Sequence, residues 1–206
     1  MWKVKVISLS IGFVRKELND LTQQAMIHAL QYARQQEVVV FAAASNSGNR
    51  DFLAFPACKP DYVIGINSTD GNGGRSRFNP QIQDRHENLS ILGEYIKSTW
   101  LQADLGKEGT FKINNSVWQR HQGTSQATAI AACVAVLILQ FGRQYGIDKR
   151  LEKFEGVRSV LRAMAGERTS DGFYDMVPWQ TVFHITSGDI DRIKTRVLEL
   201  LDRAQI

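Results

Sequence analysis

The chain has 206 residues, 43% of them hydrophobic and 22% charged. That suffices for one good-sized domain and excludes disorder, collagen and coiled coil. Lys and Arg number 25 against 21 Asp and Glu, a net charge of +4 that is too small and too scattered to imply a nucleic-acid partner. Two cysteines, Cys58 and Cys133, exclude a disulfide-rich scaffold.

The first 17 residues, MWKVKVISLSIGFVRKE, mimic a signal peptide but lack a small-residue cleavage site. They read better as a core strand from Val4 to Ile11, ended by Gly12. Glu17 to Gln36 predicts an amphipathic helix with Leu18, Leu21, Ala25, Ala29 and Tyr32 on its inward stripe. Val38 to Ala44 is apolar on both faces and closes on Ser45-Asn46-Ser47-Gly48, as a central parallel strand would. Tyr62 to Ile66 and Leu89 to Leu92 predict two more strands around a turn-rich loop, Asp70 to Pro80. Residues 102 to 122 are polar and ambiguous. Three helices follow: Ala127 to Phe141, buried; Leu151 to Ala165, with Leu151, Phe154, Leu161 and Met164 inward; and Ile190 to Ala204, with Ile190, Ile193, Val197, Leu200 and Leu201 inward. This order implies an α/β fold with a mainly parallel sheet. The longest apolar run, Ala129 to Leu139, is short of the roughly 18 residues that suggest a membrane span. With no membrane segment and no signal peptide, the chain reads as intracellular.

Chemistry concentrates in two stretches. Gly123-Thr124-Ser125-Gln126-Ala127-Thr128 runs into the most apolar helix. A serine there sits among free N–H groups at the positive dipole end, where developing negative charge is stabilised. Read alone, Thr124 or Ser125 simply caps the helix. Asn46 leaves a buried strand at its carboxyl end, where α/β sheets place ligand sites. Together, a helix-start serine and a strand-end amide could flank one carbonyl, as acyl transfer requires.

Those segments resemble the subtilisin-like serine peptidases (family S8), in particular fungal-type intracellular members. Val6-Ile7-Ser8-Leu9-Ser10-Ile11-Gly12 resembles the strand that pairs with substrate, and VVVFAAASNSGN the oxyanion-asparagine segment. Phe55-Pro56-Ala57 with Val63 to Ile66 resembles the next strand pair, GTSQATAIAACVAVLIL the nucleophile segment, and DGFYDMVPW (171 to 179) the tail. The resemblance implies a partial three-layer α/β/α sandwich over residues 1–185, with a C-terminal amphipathic helix over 186–206. It implies an endopeptidase in which Ser125 is the nucleophile, Asn46 and the Ser125 N–H hold the oxyanion, and Ser10, Ile11 and Gly12 bind an extended peptide. No cofactor and no metal are expected, and no membrane.

The triad order of that family is Asp, His, Ser, with the His roughly 150 residues before the Ser. Only 124 residues precede Ser125, and neither an Asp-Ser/Thr-Gly nor a His-Gly-Thr-His motif is present. The chain therefore reads as an incomplete triad, inactive alone, and completed by an upstream segment or a second chain that supplies Asp and His. His28, His86, His121 and His184 read as surface or structural, although His121 lies four residues from Ser125. A peptide-binding or regulatory module without catalysis is the alternative. A rival α/β-hydrolase order, Ser125 then Asp171 or Asp175 then His184, lacks the last glycine of Gly-x-Ser-x-Gly and needs a strand over Ser116 to Gln122, which reads poorly. Asp70-x-Asn72-x-Gly74 reads as a turn rather than a calcium loop. The two cysteines read as free thiols, Cys133 buried, and the tryptophans as packing residues.

Overall fold

The computed structural model describes residues 4–14, 17–48, 52–84, 86–147, 149–183 and 189–203. In chain order the elements are β1 (Val6–Leu9), α1 (Asp20–Gln35), β2 (Val39–Ala43), β3 (Ile64–Thr69), β4 (Leu89–Leu92), β5 (Ile96–Thr99), β6 (Thr110–Ile113), β7 (Ser116–His121), α2 (Thr124–Tyr145), α3 (Phe154–Met164), β8 (Tyr174–Asp175), α4 (Pro178–Thr181) and α5 (Ile190–Arg203).

Five strands form a parallel sheet in the order β1-β2-β3-β4-β8. Alternation along β2 divides the core between its two faces. Val39 and Phe41 face α2, α3 and α5, in a core that also holds Ile66, Ile91, Ile138, Phe154 and Leu200. Val40 and Ala42 face α1, with Leu30, Phe55 and Val63. The result is the expected partial α/β/α sandwich. β1 is an edge: it pairs with β2 from Val6–Val39 to Leu9–Ala42, and no described strand covers its other side.

The helix α1 exists as expected, started by Asn19, whose Oδ1 accepts the Thr22 N–H at 2.8 Å. Its inward face follows the expected stripe only at Leu18, just before the helix. Leu21 is 80% exposed and Tyr32 60% exposed, and Ala25 and Ala29 lie outside too, while Met26, Ile27, Leu30 and Ala33 pack on the sheet. The sequence carries two apolar stripes, and the sheet takes the one with Met26, Ile27 and Leu30. Ile190 of α5 is likewise exposed, although Val197, Leu200 and Leu201 are buried as expected.

Residues 96 to 121 hold the largest departure. β5, β7 and β6 form a separate antiparallel sheet, with Ile96 opposite His121 and Phe111 opposite Trp118. Ser116–His121 is a strand after all, but it belongs to this surface sheet and not to the parallel one. β8 was not anticipated, and its two residues have no periodicity to show. The helix expected over Leu151 to Ala165 is split, with a 3-10 turn at Lys149–Glu152 before α3.

The 22-residue α2 is long and apolar enough to cross a bilayer by length and composition, but half of its apolar stretch is buried inside the protein. Its inner face packs on β1 to β4 through Ala127, Ala131, Ala135 and Ile138. Its outer face is bare. Val136 is 48% exposed, Leu137 57% exposed, and Cys133, expected to be buried, is exposed. Heptad-like apolar content around the whole helix hid this asymmetry. α2 ends at Gly146, whose φ of 64° and N–H to the Gly142 oxygen form a left-handed stop.

Candidate active site

Parallel strands with short connections bring their carboxyl ends to one side of the molecule, and three segments meet there. Ser10, Ile11 and Gly12 continue β1, Asn46 follows β2, and Ser125 stands in the first turn of α2. The start of α2 hangs from the neighbouring strands: the Gly93 N–H donates to the Thr69 oxygen at 3.0 Å, and the Gly123 N–H to the Gly93 oxygen at 2.9 Å.

Neither Thr124 nor Ser125 caps α2. The cap position is Gly123, with no side-chain cap bond. Asn46 does the work from another element, its Oδ1 accepting from the Thr124 N–H at 2.8 Å and the Thr124 hydroxyl at 3.0 Å. Two donors on one atom identify that atom as the oxygen. The Asn46 Nδ2 then points away from Thr124, with no acceptor among the described residues. Gly123 has φ 155°, and a Cβ there would stand 3.1 Å from the Asn46 Nδ2 and 2.9 Å from the Gln126 Oε1. Only glycine leaves the amide its room.

Ser125 and Ser10 exchange hydrogen bonds across 115 residues of sequence. The Ser125 Oγ donates to the Ser10 backbone oxygen at 3.1 Å, and the Ser10 Oγ donates to the Ser125 backbone oxygen at 2.9 Å. Beside this clasp opens a cleft of about 310 Å³, lined by Gly12, Val14, Glu17, Ala43, Ala54, Asn46 and Ser125 among others. Gly12 keeps it open: a Cβ there would come within 2.8 Å of the Ala54 Cβ. The five sequence-nominated residues, Ser10, Ile11, Gly12, Asn46 and Ser125, are thus gathered at one end of the sheet.

No described histidine bonds to Ser125. His121 turns to the Gln119 Oε1 at 2.9 Å and stacks on Trp100 with ring centroids 4.4 Å apart. Trp100 is therefore a partner of His121 and not core packing. His28 is exposed on α1, and His86 lines a small cavity with Asn67, Glu87 and Arg158. His184 lies outside the described residues. Asp171 is exposed, and Asp175 ends β8. Burial pushes the Asp175 carboxyl up to about 6, the Asp70 charge adding to it and the Thr69 hydroxyl opposing it.

The loop after β3 is a turn, as expected. The Asp70 Oδ1 accepts from the Asn72 and Gly74 N–H groups at 2.8 and 2.9 Å. Sequence reasoning missed how it is anchored. Buried Asn79 exchanges bonds of 2.9 and 2.7 Å with the Ser68 backbone, and the Ser76 hydroxyl donates to the Ser68 hydroxyl at 2.8 Å. Among the described residues no group of three or more His, Cys, Asp and Glu could hold a metal ion.

The Peptidase S8 model (Subtilase family) matches residues 2–175. The subtilisin-like protease het-Q2 of Podospora anserina is 27% identical over 186 residues, covering 84% of this chain and 47% of its own length. The chain thus spans about half the length of that curated relative. Two solved structures share the fold. A mutant of the protease domain of PatA aligns with a TM-score of 0.64 at 22% identity, over 95% of this chain and 60% of its own. The prenylagaramide maturation protease PagA aligns with a TM-score of 0.63 at 20% identity, over 94% of this chain and 62% of its own.

Proposed function

The chain belongs to the subtilase family, and on that premise we propose that it carries the nucleophile, the oxyanion hole and the peptide-binding edge of a serine endopeptidase domain. In this reading Ser125 Oγ attacks the scissile carbonyl. Its proton passes to a histidine, which gives it to the departing amine as the tetrahedral intermediate collapses to the acyl-enzyme. The oxyanion is held by the Asn46 Nδ2 and the Ser125 N–H at the positive end of α2. The exposed Ser10 to Gly12 segment adds the peptide as a further extended strand.

One observation carries the reading. The Asn46 oxygen is tied down by Thr124 while its amide nitrogen keeps two uncommitted donors beside Ser125. Asn46 is exposed, so with its oxygen held the nitrogen is open to a carbonyl bound in the cleft.

The base and its aspartate come, on this proposal, from a segment outside this sequence or from a second chain. A serine whose proton rests on a backbone oxygen is a weak nucleophile. Among the described residues the outer edge of β1 is unpaired and Cys133, Val136 and Leu137 of α2, a helix that packs on β1, are exposed; they give such a segment a strand to pair with and apolar side chains to cover. A non-catalytic peptide-binding module is favoured by one observation, the absence of any described histidine at Ser125.

Labelling with a fluorophosphonate probe separates the two. The chain should remain unlabelled alone. It should be labelled when extended by the sequence that flanks it in its gene, or mixed with a partner, with all labelling lost in Ser125→Ala. Labelling of the isolated chain would place a base within it. A folded, extended protein that never labels would leave the binding module.

A further inference from the structure

The cleft beside Ser125 is nearly all small and neutral, with one exception. Gly12, Ala43 and Ala54 supply its apolar wall, and Ser45 and Ser47 its polar one, bonded to each other through their hydroxyls at 3.1 Å. Among the described lining residues Glu17 alone carries a charge. Its carboxylate is not swinging in solvent. The Glu17 Oε2 accepts the Val14 N–H at 2.9 Å, and the Glu17 N–H donates back to the Val14 oxygen at 3.0 Å. This pair of bonds holds the side chain against Val14, itself a wall of the cleft. No cation among the described residues pairs with Glu17.

We propose that Glu17 makes this cleft a pocket for a basic side chain, so that the protein prefers lysine or arginine next to the peptide carbonyl that faces Ser125. The inference rests on the reading of the cleft as part of a peptide groove. The aliphatic stem of such a side chain lies along Gly12, Ala43 and Ala54, and its cationic head reaches the Glu17 Oε1, which the Val14 bond leaves open. Glu17 is itself exposed, so the head keeps part of its hydration there and no buried charge is left unpaired. A carboxylate side chain would meet Glu17 with like charge and be rejected.

The test is titration calorimetry of the full chain with four-residue peptide amides, Ala-Ala-Xaa-Ala, in which Xaa is lysine, norleucine or glutamate. Lysine should bind about three- to fivefold tighter than norleucine at low salt, the range of a partly exposed ion pair, and glutamate weakest. Added salt at 0.5 M, an experimental choice well above physiological strength, should shrink the lysine advantage; the Debye length there is only about 4 Å. Glu17→Gln keeps an acceptor for the Val14 N–H and removes only the charge. It should bring the lysine-to-norleucine ratio to near one. Glu17→Lys should reverse the order in favour of glutamate. Equal binding of all three peptides to the wild-type chain would overturn the assignment of Glu17 while leaving the peptide groove standing. No binding of any peptide by a chain shown to be folded by circular dichroism would overturn the groove itself, and this inference with it.

Discussion

Asn46 serves two purposes with the two ends of one amide. Its oxygen replaces the missing cap of α2, and its nitrogen faces the cleft. Asn46→Ala should therefore lower stability as well as any activity. It strands the N–H of buried Thr124, a loss of about 1–3 kcal/mol that urea denaturation would measure. Asn46→Asp retains the acceptor and should lose less. The two residues were each visible in sequence from the motif around them, but their bond was not, because 78 residues separate them. Asp175 gives a second prediction. Burial raises its carboxyl to about 6 from an ordinary value of 3.8. Between those values the folded protein keeps a proton that the unfolded chain has released, so stability falls as pH rises from about 4 to about 6. Asp175→Asn should raise the melting temperature at pH 8 and change it little at pH 4.

The helices and the parallel strands were legible from apolar runs, because each buries a continuous stretch of chain. Which face of a helix goes inward was less legible. In α1, Leu21 and Leu30 are equally apolar, yet Leu21 is 80% exposed and Leu30 6%. Leu30→Ala should cost about 2–5 kcal/mol, and Leu21→Ala no more than about 0.5 kcal/mol, in the same denaturation assay. The three-stranded sheet went unread for a different reason. Of its residues only Val117 is fully buried, and Lys97, Phe111 and Arg120 meet through cation–π contacts of 5.5 Å at its surface. A sheet that buries so little leaves no hydrophobic period in its sequence.

For the molecule as a whole, the two incomplete surfaces matter most. A strand edge without a partner and an apolar helix face without a cover are both association hazards. The isolated chain should self-associate with rising concentration in analytical ultracentrifugation, and Leu137→Glu should reduce it. Cys133 reports on the same face. It should react readily with a maleimide in the isolated chain and be protected once a completing segment is bound. These surfaces were foreshadowed by the motifs that the sequence lacks. That the bare face runs along the helix bearing Ser125 required coordinates, since α2 is apolar on nearly every side.

The exchange between Ser10 and Ser125 couples occupancy to readiness. At rest the proton of Ser125 is parked on the Ser10 oxygen, one of the backbone atoms that an arriving strand would use. Each peptide amide that docks on that oxygen competes with the serine for it. Ser125 and a strand docked at Ser10 would therefore share one acceptor, and filling the edge would loosen the serine. On the proposed function, a site built this way is latched when empty and is unlatched by its own ligand.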